Sequence, residues 1–394
     1  MKKRLLILSS HPIQYNAPLF KLLATRGDIK IKVFYTWGQS KEKIFDPGFG
    51  KVREWDVPLL DGYDHEFIEN TSVAPGSDHF KGIVNPGLIE KIEAYDPDAI
   101  LIFGWSFQSH LKVMRYFKGK KQILFRGDST LLDESKGLSF KKIIRNIFLT
   151  WVYHFVDKVL YVGTANKKYF LKYGLENKQL IFAPHAIDND RFSQASAINK
   201  ETVKKYKEEI KIPENTIVFV FAGKLEPKKN PQILIDAFIK LNDVKTHLVL
   251  VGNGVLEDQL KMEVACQIES LKSRIHFLPF QNQTSMPVIY CMADVFCLPS
   301  RGPGETWGLA VNEAMACGLP ILISDKCGCA IDLVANGENG YIFNAENEYD
   351  LLDKLKLFSS ISNVELSKMG DCSRKKIEKF SFEEICIAVE NSFD

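Results

Sequence analysis

The chain has no apolar run near the ~18 residues that a membrane-spanning helix needs. Its opening residues are basic through Arg4 and apolar from Leu5 to Leu8. That stretch is too short for a secretory leader and enters His11-Pro12-Ile13-Gln14-Tyr15 without a small-residue cleavage site, so it reads as a buried first strand. The chain also lacks a paired-cysteine framework. Of eight cysteines only Cys327 and Cys329 lie close together, at a spacing that fits neither a zinc knuckle nor a redox pair. Cys266, Cys291, Cys297, Cys317 and Cys386 sit in apolar stretches and read as buried free thiols, which implies a reducing compartment, the cytoplasm. Strong net charge is missing as well: +2 overall argues against a nucleic-acid partner. The charge is uneven, however. Residues 1–190 carry 28 basic and 21 acidic side chains and the remainder 23 and 28, so the first half suits an anionic partner or surface.

What is present is a regular alternation. At 394 residues the chain exceeds what one core usually serves, and two domains are expected. Strand candidates are 4–9, 31–35, 99–103, 122–125, 158–162 and 180–183, then 217–222, 247–251, 275–278, 295–298 and 321–324. Runs such as Val218-Phe219-Val220-Phe221-Ala222 are apolar without alternation, as in strands covered on both faces. Amphipathic stretches lie between them, for example 230–241 and 308–317. The expected class is α/β, with two Rossmann-like doubly wound parallel-sheet domains facing a central cleft. The division is placed at 1–186 and 187–378, both Rossmann-like, with a last helix at about 379–394 packing back on the first. Residues 37–80, rich in Gly, Asp and aromatics, read as long loops over the cleft, where ligand choice is made.

Ligands of open α/β sheets bind outside the carboxyl ends of the strands. After 217–222 comes Gly223-Lys224-Leu225-Glu226-Pro227-Lys228-Lys229-Asn230. Gly223 permits a tight turn, Asn230 is placed to cap the helix opening at Pro231, and Lys224 and Lys229 near a helix N-terminus suit a diphosphate. The alternative is a solvated lysine-rich turn. After 295–298 a Gly/Pro loop carries Glu305, Thr306 and Trp307 into a helix at Gly308 and Leu309, with Glu313 in its second turn. A carboxylate there suits vicinal hydroxyls; the alternative is a surface helix glutamate packed by its neighbours.

This segment resembles the paired-glutamate signature of the retaining family 4 glycosyltransferases of the GT-B superfamily. Glu305 and Glu313 stand eight positions apart around Trp307-Gly308-Leu309, followed by Glu313-Ala314-Met315-Ala316-Cys317-Gly318-Leu319-Pro320. The Gly223–Lys229 segment is similar to the family's phosphate-binding basic pair, with Lys224 where Arg is usual. Asn339-Gly340 resembles its N-G turn and Phe182–Asp188 its interdomain linker. The resemblance implies that Gly223, Lys224, Lys229 and the Gly308 and Leu309 amides hold the donor diphosphate. It implies Glu313 on the ribose, Glu305 with Thr306 and Trp307 on the donor sugar, and Phe280 beside the base.

The first domain departs from that pattern. Its first loop, Ser9 to Asn16, has His11, Gln14, Tyr15 and Asn16 where glycines are usual, so these are candidates for acceptor or sugar contact, with Asn16 also able to cap a turn. The family's histidine after strand 122–125 is replaced by Arg126-Gly127-Asp128-Ser129. Arg126 and Asp128, with Glu305, are the catalytic candidates, Arg126 for the departing phosphate and Asp128 for acceptor or sugar, and His110 is a candidate substitute histidine. Asp188-Asn189-Asp190 and Asp96-Pro97-Asp98 read as turns, so no metal is expected, and no cofactor beyond the nucleotide sugar as substrate. The basic amphipathic stretch 141–155 is expected in the first domain's core; the alternative is a peripheral contact with the inner face of the cytoplasmic membrane. The implied reaction is retaining transfer from a UDP- or GDP-sugar to a saccharide or lipid-linked saccharide in surface polysaccharide synthesis. The alternatives are an epimerase of the same fold, or an inactive nucleotide-sugar-binding protein.

Overall fold

The computed structural model describes residues 2–41, 45–46, 51–52, 55–134, 137, 139–194 and 200–393. Its strands in chain order are β1 (Arg4–Ser9), β2 (Lys30–Tyr35), β3 (Phe45–Asp46), β4 (Lys51–Val52), β5 (His65–Phe67), β6 (Ala99–Phe103), β7 (Gln122–Arg126), β8 (Lys158–Tyr161), β9 (Leu180–Phe182), β10 (Ile217–Ala222), β11 (Thr246–Val251), β12 (Ile275–Leu278), β13 (Val295–Leu298), β14 (Ile321–Ser324) and β15 (Gly340–Phe343). A seven-stranded sheet has the order β5-β2-β1-β6-β7-β8-β9, and a six-stranded sheet the order β12-β11-β10-β13-β14-β15. All pairings within both are parallel. The apolar runs account for this: Leu5 to Leu8 and Val218 to Phe221 are fully buried, as strands between two helix layers must be.

The chain divides into two compact units. One comprises Met1–Ile44, Val57–His185 and Phe382–Asp394, the other Phe45–Asp56 and Ala186–Ser381. The sequence division gave all of 1–186 to the first domain; the structure moves Phe45–Asp56 to the second unit. The reason is local: the Trp55 ring meets Phe280 edge-on at 6.2 Å, and the Asp56 carboxylate accepts from the Thr284 amide at 3.1 Å. Within the expected loop region 37–80 the structure adds the short strands β3, β4 and β5, while residues 42–44, 47–50 and 53–54 lie outside the described residues. The last helix, Phe382–Glu390, belongs to the first unit, where Arg26 donates to both Glu390 carboxylate oxygens at 2.7 and 2.8 Å. Gln122 of β7 adds a bond to the Ser392 carbonyl at 2.8 Å.

Several local expectations are corrected. The helix Phe140–Tyr153 is not a core helix: Leu149, Val152 and Tyr153 are buried, while Phe140, Ile143, Ile144, Ile147, Phe148 and Trp151 are exposed. Cys266, which closes the helix Glu257–Ala265, is exposed and Cys291 is half-buried, where both were expected in the core. Asn16 and Asn230 both precede helices, but neither side chain caps; Asn230 instead adopts a left-handed backbone at φ 51°. The Asn339-Gly340 step is not a glycine turn. Gly340 opens β15, where a Cβ would stand 2.0 Å from the Ile321 carbonyl oxygen, and the positive φ of 82° falls on Gly337. The D-x-D stretches serve the backbone: Asp188 caps a short helix by accepting from the Arg191 amide at 3.1 Å, and Asp98 accepts from the amide of Arg4, which opens β1, at 2.7 Å.

Candidate active site

In the second unit, five connections at the carboxyl ends of strands β10 to β14 converge. The turn after β10 crosses the turn after β11 with almost no clearance. A Cβ on Gly252, at φ +136°, would lie 2.1 Å from the Gly223 carbonyl oxygen, and one on Gly254 2.4 Å from that of Leu225. The Gly223 amide donates to the Val251 carbonyl and the Leu225 amide to that of Asn253, both at 3.0 Å. Only residues without side chains permit this approach. The Gly252-Asn253-Gly254 step was not singled out in the sequence, although Gly-x-Gly directly after an apolar strand was a readable signal. Asn253 also fixes the next connection, its Oδ1 accepting from the Phe280 amide at 2.9 Å. Phe280 is half-buried there and shares its ring contact with Trp55.

Lys229 folds back over Gly223 and places its Nζ 2.5 Å from Glu305 Oε2, the two side chains being 17% and 8% exposed. Glu305 Oε2 also accepts from Ser300 Oγ at 2.9 Å. The Arg301 amide donates to the Lys228 carbonyl at 2.9 Å, tying the loop after β13 to the loop after β10. The structure thus joins two residues that lie 76 positions apart in the chain. Lys224 is half-buried on the same turn. A buried carboxylate facing an ammonium group is electrostatically favourable only while the pair holds or a ligand replaces one partner.

Gly308, at φ +103°, starts the helix Leu309–Ala316. A Cβ on Gly308 would lie 2.9 Å from Leu298 Cδ2, so the position excludes side chains on both steric and backbone grounds. The first N–H groups of such a helix lack partners inside it and carry its positive end, which suits an anion. Thr306 is held by the β14 connection: Gly328 passes so close that a Cβ there would overlap the Thr306 carbonyl, and the Gly328 amide donates to the Glu305 carbonyl at 3.0 Å. Trp307 differs from the expectation of a sugar-contacting side chain. It is 3% exposed, its indole N–H donates to Asn312 Oδ1 at 2.9 Å, and its ring packs on Phe380. Burial leaves only its backbone for a ligand. Glu313 is not a surface glutamate: it is 3% exposed and its Oε2 accepts from the buried Tyr290 hydroxyl at 2.9 Å.

In the first unit, the loop after β1 is built by side chains. Ser10 Oγ and His11 Nδ1 are 2.9 Å apart, the His11 ring stands edge-on to Trp37 at 5.5 Å, and the Asn16 amide donates to the Ile13 carbonyl at 3.1 Å. His11, Gln14, Tyr15 and Asn16 are all half-buried. Arg126 ends β7 with its guanidinium donating to the Ala183 and Pro184 carbonyls, both at 2.8 Å. It is buried, and desolvation pushes its pKa down to about 10. In this state the fork anchors the chain at 183–184 and is not directed at a phosphate. Asp128 lies with Oδ2 3.8 Å from His185 Nε2. Burial lowers the His185 pKa, against the opposing effect of Asp128.

His110 is not the substitute histidine. It is fully buried, its Nε2 meets Thr36 Oγ1 and its Nδ1 the Gly104 carbonyl, both at 2.8 Å, and desolvation pushes its pKa down to about 4. The histidine beside Asp128 is His185, which the sequence placed only in a linker because the 57 positions between them hide the contact.

Residues 202–376 match the family model described as Glycosyl transferases group 1. Among curated proteins, an uncharacterized glycosyltransferase of Methanocaldococcus jannaschii is 27% identical over 61% of this chain and 66% of its own length. A UDP-Gal:alpha-D-GlcNAc-diphosphoundecaprenol alpha-1,3-galactosyltransferase of Escherichia coli is 33% identical over 42% of this chain and 39% of its own. The alignments therefore span no more than 66% of those relatives. Among solved structures, Anabaena HepE in complex with UDP superposes with a TM-score of 0.72 at 19% identity, over 100% of this chain and 99% of that one. The fold is GT-B.

Proposed function

We propose that this chain, whose residues 202–376 match the family model of the group 1 glycosyl transferases, is a member of that family and transfers a sugar from a UDP- or GDP-sugar to a saccharide or lipid-linked saccharide, retaining the anomeric configuration. The observation that carries it is the Lys229–Glu305 pair beside the Gly308 helix end, within the second unit. A diphosphate entering there offers Lys229 a new anionic partner. Lys229 then lies between the diphosphate and Glu305, and the Glu305 carboxylate, still held by Ser300, accepts from donor-sugar hydroxyls. Lys224 and the Leu309 amide complete the cradle, and Glu313 receives the ribose hydroxyls. The Gly252-Asn253-Gly254 turn lets the nucleotide approach the backbone.

The leaving diphosphate is stabilised by fixed charges and amide dipoles, which need no reorganisation as charge develops. Transfer therefore proceeds in EDTA, with no metal and no cofactor. The departing phosphate takes the acceptor proton on the face it leaves. On the acceptor side, His11, Gln14, Tyr15 and Asn16 are the contacts, with Asp128 and His185 as a second polar pair. All eight cysteines are free thiols, which suits work in the cytoplasm. An undecaprenol-linked acceptor, as in the name of the Escherichia coli relative, would set the reaction in surface polysaccharide assembly.

The test is a thermal-shift screen with UDP, GDP and ADP and their sugars, followed by NMR of the product. A ligand that binds only the native state raises the melting point by mass action. The expected result is a shift with one uridine or guanosine diphosphate sugar and an axial-to-axial or equatorial-to-equatorial product. Conversion of the donor without an acceptor would instead identify an epimerase, and binding without turnover an inactive binding protein.

A further inference from the structure

We propose that the helix Phe140–Tyr153 docks the first unit on an anionic lipid surface. This deepens the acceptor half of the function above, and rests on it only for the identity of the acceptor. The helix buries Leu149, Val152 and Tyr153 against its own unit and presents a second apolar face outward. On that face Phe140 is 77%, Ile147 67% and Ile144 52% exposed. Phe148 and Trp151 continue it, their rings 5.7 Å apart. A contiguous apolar face of this kind is costly in water and marks a contact surface.

The charges around the face select its occupant. The helix carries Lys141, Lys142 and Arg145 and no acidic residue. Arg115 of the neighbouring helix Gln108–Phe117 stands 5.4 Å from the centre of the Trp151 ring. Glu134 pairs with Arg145 at 3.1 Å and offsets part of this charge. Apolar and aromatic side chains bordered by Lys and Arg are the pattern of a helix lying in a lipid interface. Association with a second copy would bring two sets of the same cations together, and like charges across an interface oppose it. A shallow concavity of about 490 Å³ lined by Asn146, Ile147, Thr150, Trp151 and His154 opens on the helix and offers room for part of an acyl chain.

The helix follows β7, and a helix after a parallel strand begins at the strand's carboxyl edge. Phe140 therefore lies toward the edge that also carries the His11–Asn16 loop. Docking through this face would bring that loop toward the interface, where a lipid-linked saccharide presents its sugar.

The test is co-sedimentation of the full chain with phosphatidylcholine vesicles, with and without phosphatidylglycerol, together with Trp fluorescence. Binding is expected only to the anionic vesicles, with a blue shift, and should weaken in about 0.5 M salt as screening shortens. The double variant F140E/I147E should weaken binding at least ~10-fold while keeping its melting point and its turnover of a soluble acceptor. Absence of vesicle binding, or equal binding by variant and wild type, would overturn the proposal. So would a wild-type dimer that the variant dissociates, which would assign the face to a second copy. Vesicle binding without any glycosyl transfer would count against the enzymatic function alone.

Discussion

Lys229 Nζ lies 2.5 Å from Glu305 Oε2, and neither side chain is more than 17% exposed. Each is the other's charge partner in a place where an unpaired ion is costly. Under the proposed function the donor diphosphate competes for Lys229, which links binding to pairing and makes the pair testable by substitution. This changes what can be asked of variants at the two positions.

Glu305→Gln preserves shape and the bond from Ser300 and leaves an amide oxygen facing the partly exposed Lys229, so it should cost less stability than removal of the lysine. Its kcat/KM should fall ~100-fold or more, the usual range for loss of one charged group that acts in the transition state. Lys229→Ala leaves a buried carboxylate unpaired and should also lose about 3 kcal/mol of stability. Combining the two should cost less stability than their sum, as urea titration of the single and double variants would reveal.

Gly252→Ala places a methyl 2.1 Å from the Gly223 carbonyl in a backbone conformation that L-residues avoid. The two turns must separate, so nucleotide affinity should fall at least ~10-fold and stability by about 2 kcal/mol. Calorimetric titration with UDP or GDP measures the first and urea the second. Unchanged affinity would remove these turns from the site.

Tyr290→Phe removes one donor from the Glu313 carboxylate and should cost ~1 kcal/mol of stability with a small change in nucleotide affinity. Glu313→Ala should lower affinity for the ribonucleotide much more than for its 2′,3′-dideoxy analogue. Equal losses for both ligands would dismiss Glu313 as the ribose acceptor.

His110 has its pKa pushed down to about 4 by burial, and His247 likewise to about 4, its Nδ1 being 2.9 Å from His276 Nε2. A histidine held neutral in the native state is protonated first in the unfolded chain. Stability is therefore unaffected above the unfolded pKa of about 6.5, and falls as pH drops from there toward 4. For His110 the loss at pH 5 should be about 2 kcal/mol relative to neutral pH. Urea titration of wild type and His110→Gln across this range should show a shallower slope in the variant, despite its lower stability at pH 7.

Strand positions and the β/α order were legible because a buried parallel strand must be apolar on both faces, and runs such as Val218–Ala222 have no other economical use. The glycines at 223 and 308 and the lysine at 229 could be read because each follows a strand end, where ligands of such sheets bind. Distance along the chain hid the rest. Asp128 and His185 meet only after β8 and β9 have been laid beside β7, and Tyr290 reaches Glu313 only when two helices pack.

Local composition by itself determined the two sheets, the connections that turn at their carboxyl edges, and the free state of the thiols' chemistry. It could not determine orientation. Trp307 and Glu313 are both buried, and Arg126 is spent on backbone carbonyls. The helix Phe140–Tyr153 has apolar residues on more of its circumference than one contact can cover, and its periodicity fits an inward face as well as an outward one. Which face turns inward depends on the neighbours that occupy the space, and only the assembled fold fixes those.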